Sequence, residues 1–75
     1  MMIYLFGMLA EEAGDTKWQL PFCEDTNQLM EEVYRRFPAW KSYSLLLSVN
    51  RKLIQENQNI QSGDELALMP PFSGG

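Results

Sequence analysis

Only one stretch of this chain carries a helix-period apolar stripe long enough for a full helix, and that sets the scale of the fold. Residues 27–37 place Leu29, Met30, Val33, Tyr34 and Phe37 on one side of a helix. Pro38 ends it, because its ring blocks continuation and it has no N–H to give. At the start, Asp25 with Gln28 three residues on reads as a weak capping box, and Thr26 is a competing cap. The outer face pairs Glu31 with Arg35 and Glu32 with Arg36 at a spacing of four. Each such pair stabilises a helix by only about 0.2–0.5 kcal/mol, so this is a solvated face. A single helix of this length can cover one face of a small sheet.

The remaining segments supply that sheet. Residues 2–6, Met-Ile-Tyr-Leu-Phe, form a continuous apolar run that suits a strand covered on both faces, and Gly7 breaks it. Residues 8–13 read as a short helix closed by Gly14, with Asp15 opening a turn. Trp18 and Leu20 alternate with Lys17 and Gln19 as a half-buried strand that Pro21 terminates. Residues 39–44 read as a loop with Trp40 and Tyr43 folded back onto the core. Residues 45–49 form a third strand, Asn50-Arg51 a tight turn, and residues 52–55 a short returning strand. Residues 56–62 are polar and irregular, anchored by Ile60, and Gly63-Asp64 is a turn before the last strand at residues 66–69. The first and last strands are the most evenly apolar and belong side by side in the sheet centre. The expected class is therefore α+β: a mixed five-stranded sheet with one main helix and a short helix, the β-grasp or ubiquitin-like arrangement.

After the last strand the sequence runs Pro70-Pro71-Phe72-Ser73-Gly74-Gly75. Two prolines stop the strand and hold the chain stiff and extended as it leaves the sheet. Gly74-Gly75 has no side chains, so it can enter a channel too narrow for a Cβ, and the reactive group at its end is the α-carboxylate of Gly75. A free carboxylate is a poor electrophile. Converted to an acyl-adenylate by another enzyme, it becomes a carrier for the next nucleophile. Gly-Gly is equally the composition of a flexible linker remnant; the Pro-Pro spacer set directly on a core strand weighs against that. The expected division is a domain at residues 1–71 and a flexible carrier tail at residues 72–75, mobile from about Phe72. An exposed apolar patch for a partner is expected beside the last strand, including Phe6 or Leu68.

Composition narrows the chemistry. A chain of 75 residues at 45% hydrophobic content makes one small folded domain. Its net charge of −4, with no histidine, excludes a nucleic-acid binder and suits basic partner surfaces. Cys23 is the only cysteine, so no internal disulfide exists and a reducing, cytoplasmic setting fits. Without histidine, and beside Glu24 and Asp25, it reads as a small buried side chain rather than a nucleophile. Asp64 and Glu65 point apart at a turn and serve capping and solvation rather than acid–base chemistry. No metal-ligand cluster, bound cofactor, membrane span or signal peptide is indicated.

Three features then carry a family resemblance: Val49-Asn50 opening the hairpin, Gly63-Asp64-Glu65 before the last strand, and Pro70-Pro71 ahead of an apolar residue, a hydroxyl residue and Gly74-Gly75. Together they resemble the small subunits of molybdopterin synthase, sulfur carriers with the β-grasp fold. Phe72 stands where that resemblance places a smaller aliphatic residue. The resemblance implies that an ATP-dependent adenylating enzyme activates Gly75 and that a sulfur donor protein converts the adenylate to a thiocarboxylate. It further implies that Phe72, Ser73 and Gly74 carry that group into the active site of the synthase large subunit, within a heterotetramer. There the sulfur attacks a cyclic pyranopterin monophosphate. The small subunit supplies sulfur and the large subunit supplies the catalytic side chains. Three other readings share parts of this pattern: a sulfur carrier for thiamine or another pathway, a ubiquitin-like modifier of lysines, and a β-grasp binding module with an inert tail.

Overall fold

A computed structural model of the chain describes residues 1–71. In chain order these form β1 (Met2–Leu5), α1 (Met8–Ala13), β2 (Lys17–Gln19), α2 (Thr26–Arg36), a 3-10 helix (Pro38–Ser42), β3 (Leu46–Val49), β4 (Lys52–Leu53) and β5 (Leu66–Met69). One sheet holds all five strands in the order β2-β1-β5-β3-β4. β1 and β5 run parallel at its centre, and the other pairs are antiparallel. This is the β-grasp architecture expected from the sequence.

Side chains from both helices enter one core. Leu9 of α1, Leu29 and Val33 of α2, and Trp40 of the 3-10 helix pack against Ile3, Leu5, Leu66 and Leu68 of the central strands. Trp18, Phe37 and Trp40 stack as a triad with ring centroids 4.5–5.7 Å apart. The buried Trp40 indole donates to Glu12 at 2.9 Å, and the Tyr43 hydroxyl donates to the same carboxylate at 3.0 Å. Glu12 thereby fastens α1 to the segment after α2, and the hydrogen bond pushes the Tyr43 hydroxyl above the ordinary tyrosine range.

Several local readings change. Asp25 is the cap of α2, accepting from the Gln28 N–H at 2.9 Å, while the Gln28 side chain reaches back to the Glu24 N–H at 2.8 Å. Thr26 is buried instead, donating to Asn57 and accepting from the Gln58 N–H, so it pins the irregular 56–60 segment to the helix start. The expected pairs at a spacing of four do not form. Arg35 pairs with Glu32, and the Arg36 guanidinium lies 5.3 Å from the Trp18 ring centre. The loop after α2 is a 3-10 helix begun by Pro38. The returning strand is only Lys52–Leu53.

The larger correction concerns β1. Its apolar run suggests cover on both faces, yet Ile3 and Leu5 are buried while Met2 and Tyr4 are exposed. The helices all pack on one side, and the alternation of the strand sends every second residue to the other.

Candidate functional site

β5 delivers the C-terminal segment. Its backbone pairs on both edges, with Leu66, Ala67 and Leu68 opposite Ile3, Tyr4 and Leu5 on one side and opposite Val49, Ser48 and Leu47 on the other. A strand held on both sides cannot shift register without moving its buried side chains to the open face. The point where Pro70 leaves the sheet is therefore fixed. The Phe6 N–H donates to the Leu68 carbonyl at 3.1 Å, extending the β1–β5 ladder to the last residues of the strand. Beyond it, the Pro70 ring lies against Gly7. The predicted tail residues Phe72, Ser73, Gly74 and Gly75, and the mobility expected from Phe72, lie outside the described residues.

Beside this root the open face of the sheet carries a hollow of ≈ 420 Å³. Ser48 and Ala67, the small side chains of a cross-strand pair, form its floor. Phe6, Leu53 and Met69 stand around it, and Arg51 and Glu65 close one end. Phe6 and Leu53 are each about half exposed, at 51% and 53%. This is the apolar patch expected beside the last strand, and Phe6 belongs to it. Leu68 does not. It is fully buried, because it pairs with Leu5 and Leu47 on the covered face. Leu53, Ala67 and Met69 were not singled out from sequence. Four apolar residues in a row hide which two face outward; the register against β3 reveals it.

The polar end of the hollow is tied down by Asn50. The β3–β4 turn puts Asn50 and Arg51 at φ 53° and 69°, the paired left-handed geometry of a tight hairpin. The Asn50 side chain donates to Asp64 at 3.0 Å and accepts from the Glu65 N–H at 2.9 Å. Asp64 also accepts from the Gln61 N–H at 2.8 Å, and these bonds hold its carboxyl below the usual range. Asp64 and Glu65 are thus a turn lock, as their adjacency suggested. Arg51 and Glu65 approach to 3.5 Å in solvent, a pair of little energetic weight.

Cys23 is free and buried. Burial pushes its thiol up, and the charges of Glu32 and Asp25 push it the same way. That environment suppresses the thiolate. Among the described residues, no helix is long and apolar enough to cross a membrane.

The model of the ThiS family matches residues 3–75. The molybdopterin synthase sulfur carrier subunit of Arabidopsis thaliana is 29% identical over 77 aligned positions, spanning 97% of this chain and 80% of that protein. The crystal structure of SAMP1 from Haloferax volcanii superposes with a TM-score of 0.77 at 28% identity, covering 99% of this chain and 97% of that one.

Proposed function

The chain belongs to the ThiS family, and on that premise we propose that it is the sulfur-carrying subunit of a molybdopterin synthase. The observation that carries this reading is that the family match runs through residue 75, so Gly74-Gly75 and the Pro-Pro spacer lie within the matched span. The name of the Arabidopsis relative favours molybdopterin over other sulfur-using pathways.

In this reading residues 1–71 are the body and residues 72–75 the carrier arm. The Gly75 carboxylate attacks the α-phosphate of ATP in a partner adenylating enzyme, forming an acyl-adenylate and releasing pyrophosphate. Hydrosulfide delivered by a donor protein then attacks the acyl carbon and displaces AMP, leaving a thiocarboxylate. That group is anionic at neutral pH and nucleophilic once a partner positions it. The arm, Phe72-Ser73-Gly74, carries it into the large subunit, where sulfur is transferred to a cyclic pyranopterin monophosphate, and two rounds build the dithiolene. The body's own part is to hold the arm's root and to dock. The open-face hollow beside Pro70 is the docking surface this reading uses, with Phe6 and Leu53 as its apolar contacts.

Reconstitution tests the proposal. The chain bearing a Gly75 thiocarboxylate, mixed with a competent large subunit and cyclic pyranopterin monophosphate, is expected to yield molybdopterin and return as the free carboxylate. The chain lacking Gly75 is expected to fold normally and yield none. Absence of product from the thiocarboxylated chain, or equal product from the truncated one, overturns the reading.

A further inference from the structure

Gly7 reads in the sequence only as the residue that ends the first strand. Its structural setting is more specific. It lies at the β1–α1 junction with φ 59° and ψ −137°. That is the mirror image of an extended conformation, open to glycine and closed to L side chains. A Cβ built there would sit 3.0 Å from Cγ of Pro70 and 3.4 Å from its Cδ. The junction is further held by the Phe6 N–H on the Leu68 carbonyl at 3.1 Å and by the Leu9 N–H on the Phe6 carbonyl at 3.2 Å. The bare α-carbon of Gly7 is thus the surface against which the first residue after β5 comes to rest.

From this we propose that Gly7 is a positioning residue for the carrier arm: by lacking a side chain it seats the Pro70 ring and so sets the direction in which the arm leaves the body. This rests on the sulfur-carrier reading above. Proline makes the seat effective. Its fixed φ passes an error at its own position along the chain, and Pro71 keeps the path stiff. A displacement at Pro70 therefore carries through Pro71 to the root of the arm. Docking through the open face would be unaffected, so the expected kinetic signature is a loss of turnover without a loss of affinity.

The test uses the full chain as the protein substrate of its adenylating enzyme, with Gly7→Ala, Pro70→Ala and the double variant. Backbone strain at residue 7 is common to Gly7→Ala and the double variant, and both should lose thermal stability, the single variant more. Gly7→Ala alone keeps the Cβ–ring conflict. Its kcat is expected to fall about tenfold with KM within twofold of wild type, which corresponds to about 1.4 kcal/mol in the transition state. The double variant, relieved of the ring, should return to within about threefold of Pro70→Ala. In the unmutated chain, nuclear Overhauser contacts between the Gly7 α-protons and the Pro70 ring report the seat directly. Wild-type kcat in Gly7→Ala, an equal loss in the double variant, or absence of those contacts overturns the positioning role. Failure of the unmutated chain to be adenylated is a different outcome: it removes the sulfur-carrier reading first and the positioning role with it.

Discussion

The two faces of the sheet are built from alternate residues of the same strands, yet they do opposite work. On the covered face Ile3, Leu5, Leu66, Leu68, Leu47 and Val49 meet the helices and are buried. On the open face their neighbours Met2, Tyr4 and Phe6 stand in solvent, and Ser48 and Ala67 floor a hollow. Exposed apolar side chains grouped this way on a small domain mark a surface suited to a partner. Apolar content alone does not assign a residue to either face. Side-chain parity does, because one step along a strand moves a residue from the core to the open face.

Substitutions on the two faces should therefore separate stability from partner binding. The largest effect is expected from Leu68→Ala, on the covered face. Deleting a fully buried leucine of this kind costs about 2–5 kcal/mol, which lowers Tm by about 10 °C or more in a domain of this size. Thermal unfolding measures it, and affinity for the large subunit, measured well below Tm, should stay within about twofold. Phe6→Ala is the counterpart on the open face. It should weaken large-subunit binding about tenfold or more, about 1.4 kcal/mol, with stability changed by about 1 kcal/mol or less. Titration calorimetry beside a denaturant curve reads both. If Phe6→Ala unfolds the domain and leaves binding intact, the assignment of faces is wrong.

Smaller effects are expected where the faces meet. Asn50→Ala removes both side-chain hydrogen bonds to residues 64 and 65 and places alanine at a positive φ. A loss of about 1–2 kcal/mol is expected by chemical denaturation, with a weaker effect on binding through the loosened end of the hollow. The smallest concerns pH. The Asp64 carboxyl is held below its unfolded value by Gln61 and Asn50. Its contribution is present above the unfolded value near ~3.9 and is lost as pH falls through the lower folded value. Asp64→Asn should flatten that part of the acid limb of a stability profile and leave the limb above about pH 5 unchanged.

Much of the fold was legible because the strong periodic signals were local. The stripe from Leu29 to Phe37, Gly14 closing the short helix and the Asn50-Arg51 turn all declare themselves within a few residues. The open face was less legible, since parity in a run such as Leu66-Ala67-Leu68-Met69 depends on pairing with β3, a partner far along the chain. Of the two residues named for the patch, Phe6 lies on the open face and Leu68 on the covered one, a choice that the run of apolar residues leaves open and the register decides. Thr26 competes with Asp25 as a cap in sequence, and only the contact with Asn57 shows why it turns inward. The seat of Pro70 on Gly7 joins opposite ends of the chain and leaves no local signal at all. The expectation of carrier chemistry rests on the Gly74-Gly75 motif in the sequence, which lies outside the described residues.

If Gly75 carries the transferred sulfur and the rest of the domain only presents it, the sulfur must be found on the Gly75 carboxyl. Intact-mass spectrometry of the full chain, after ATP, its adenylating enzyme and a sulfur donor, tests this most directly. The expected result is a mass gain equal to exchange of one oxygen for sulfur, with fragmentation placing it on the Gly75 carboxyl. An unchanged mass with an adenylating enzyme that is active on another ThiS-family chain, or sulfur located on Cys23 instead, contradicts it.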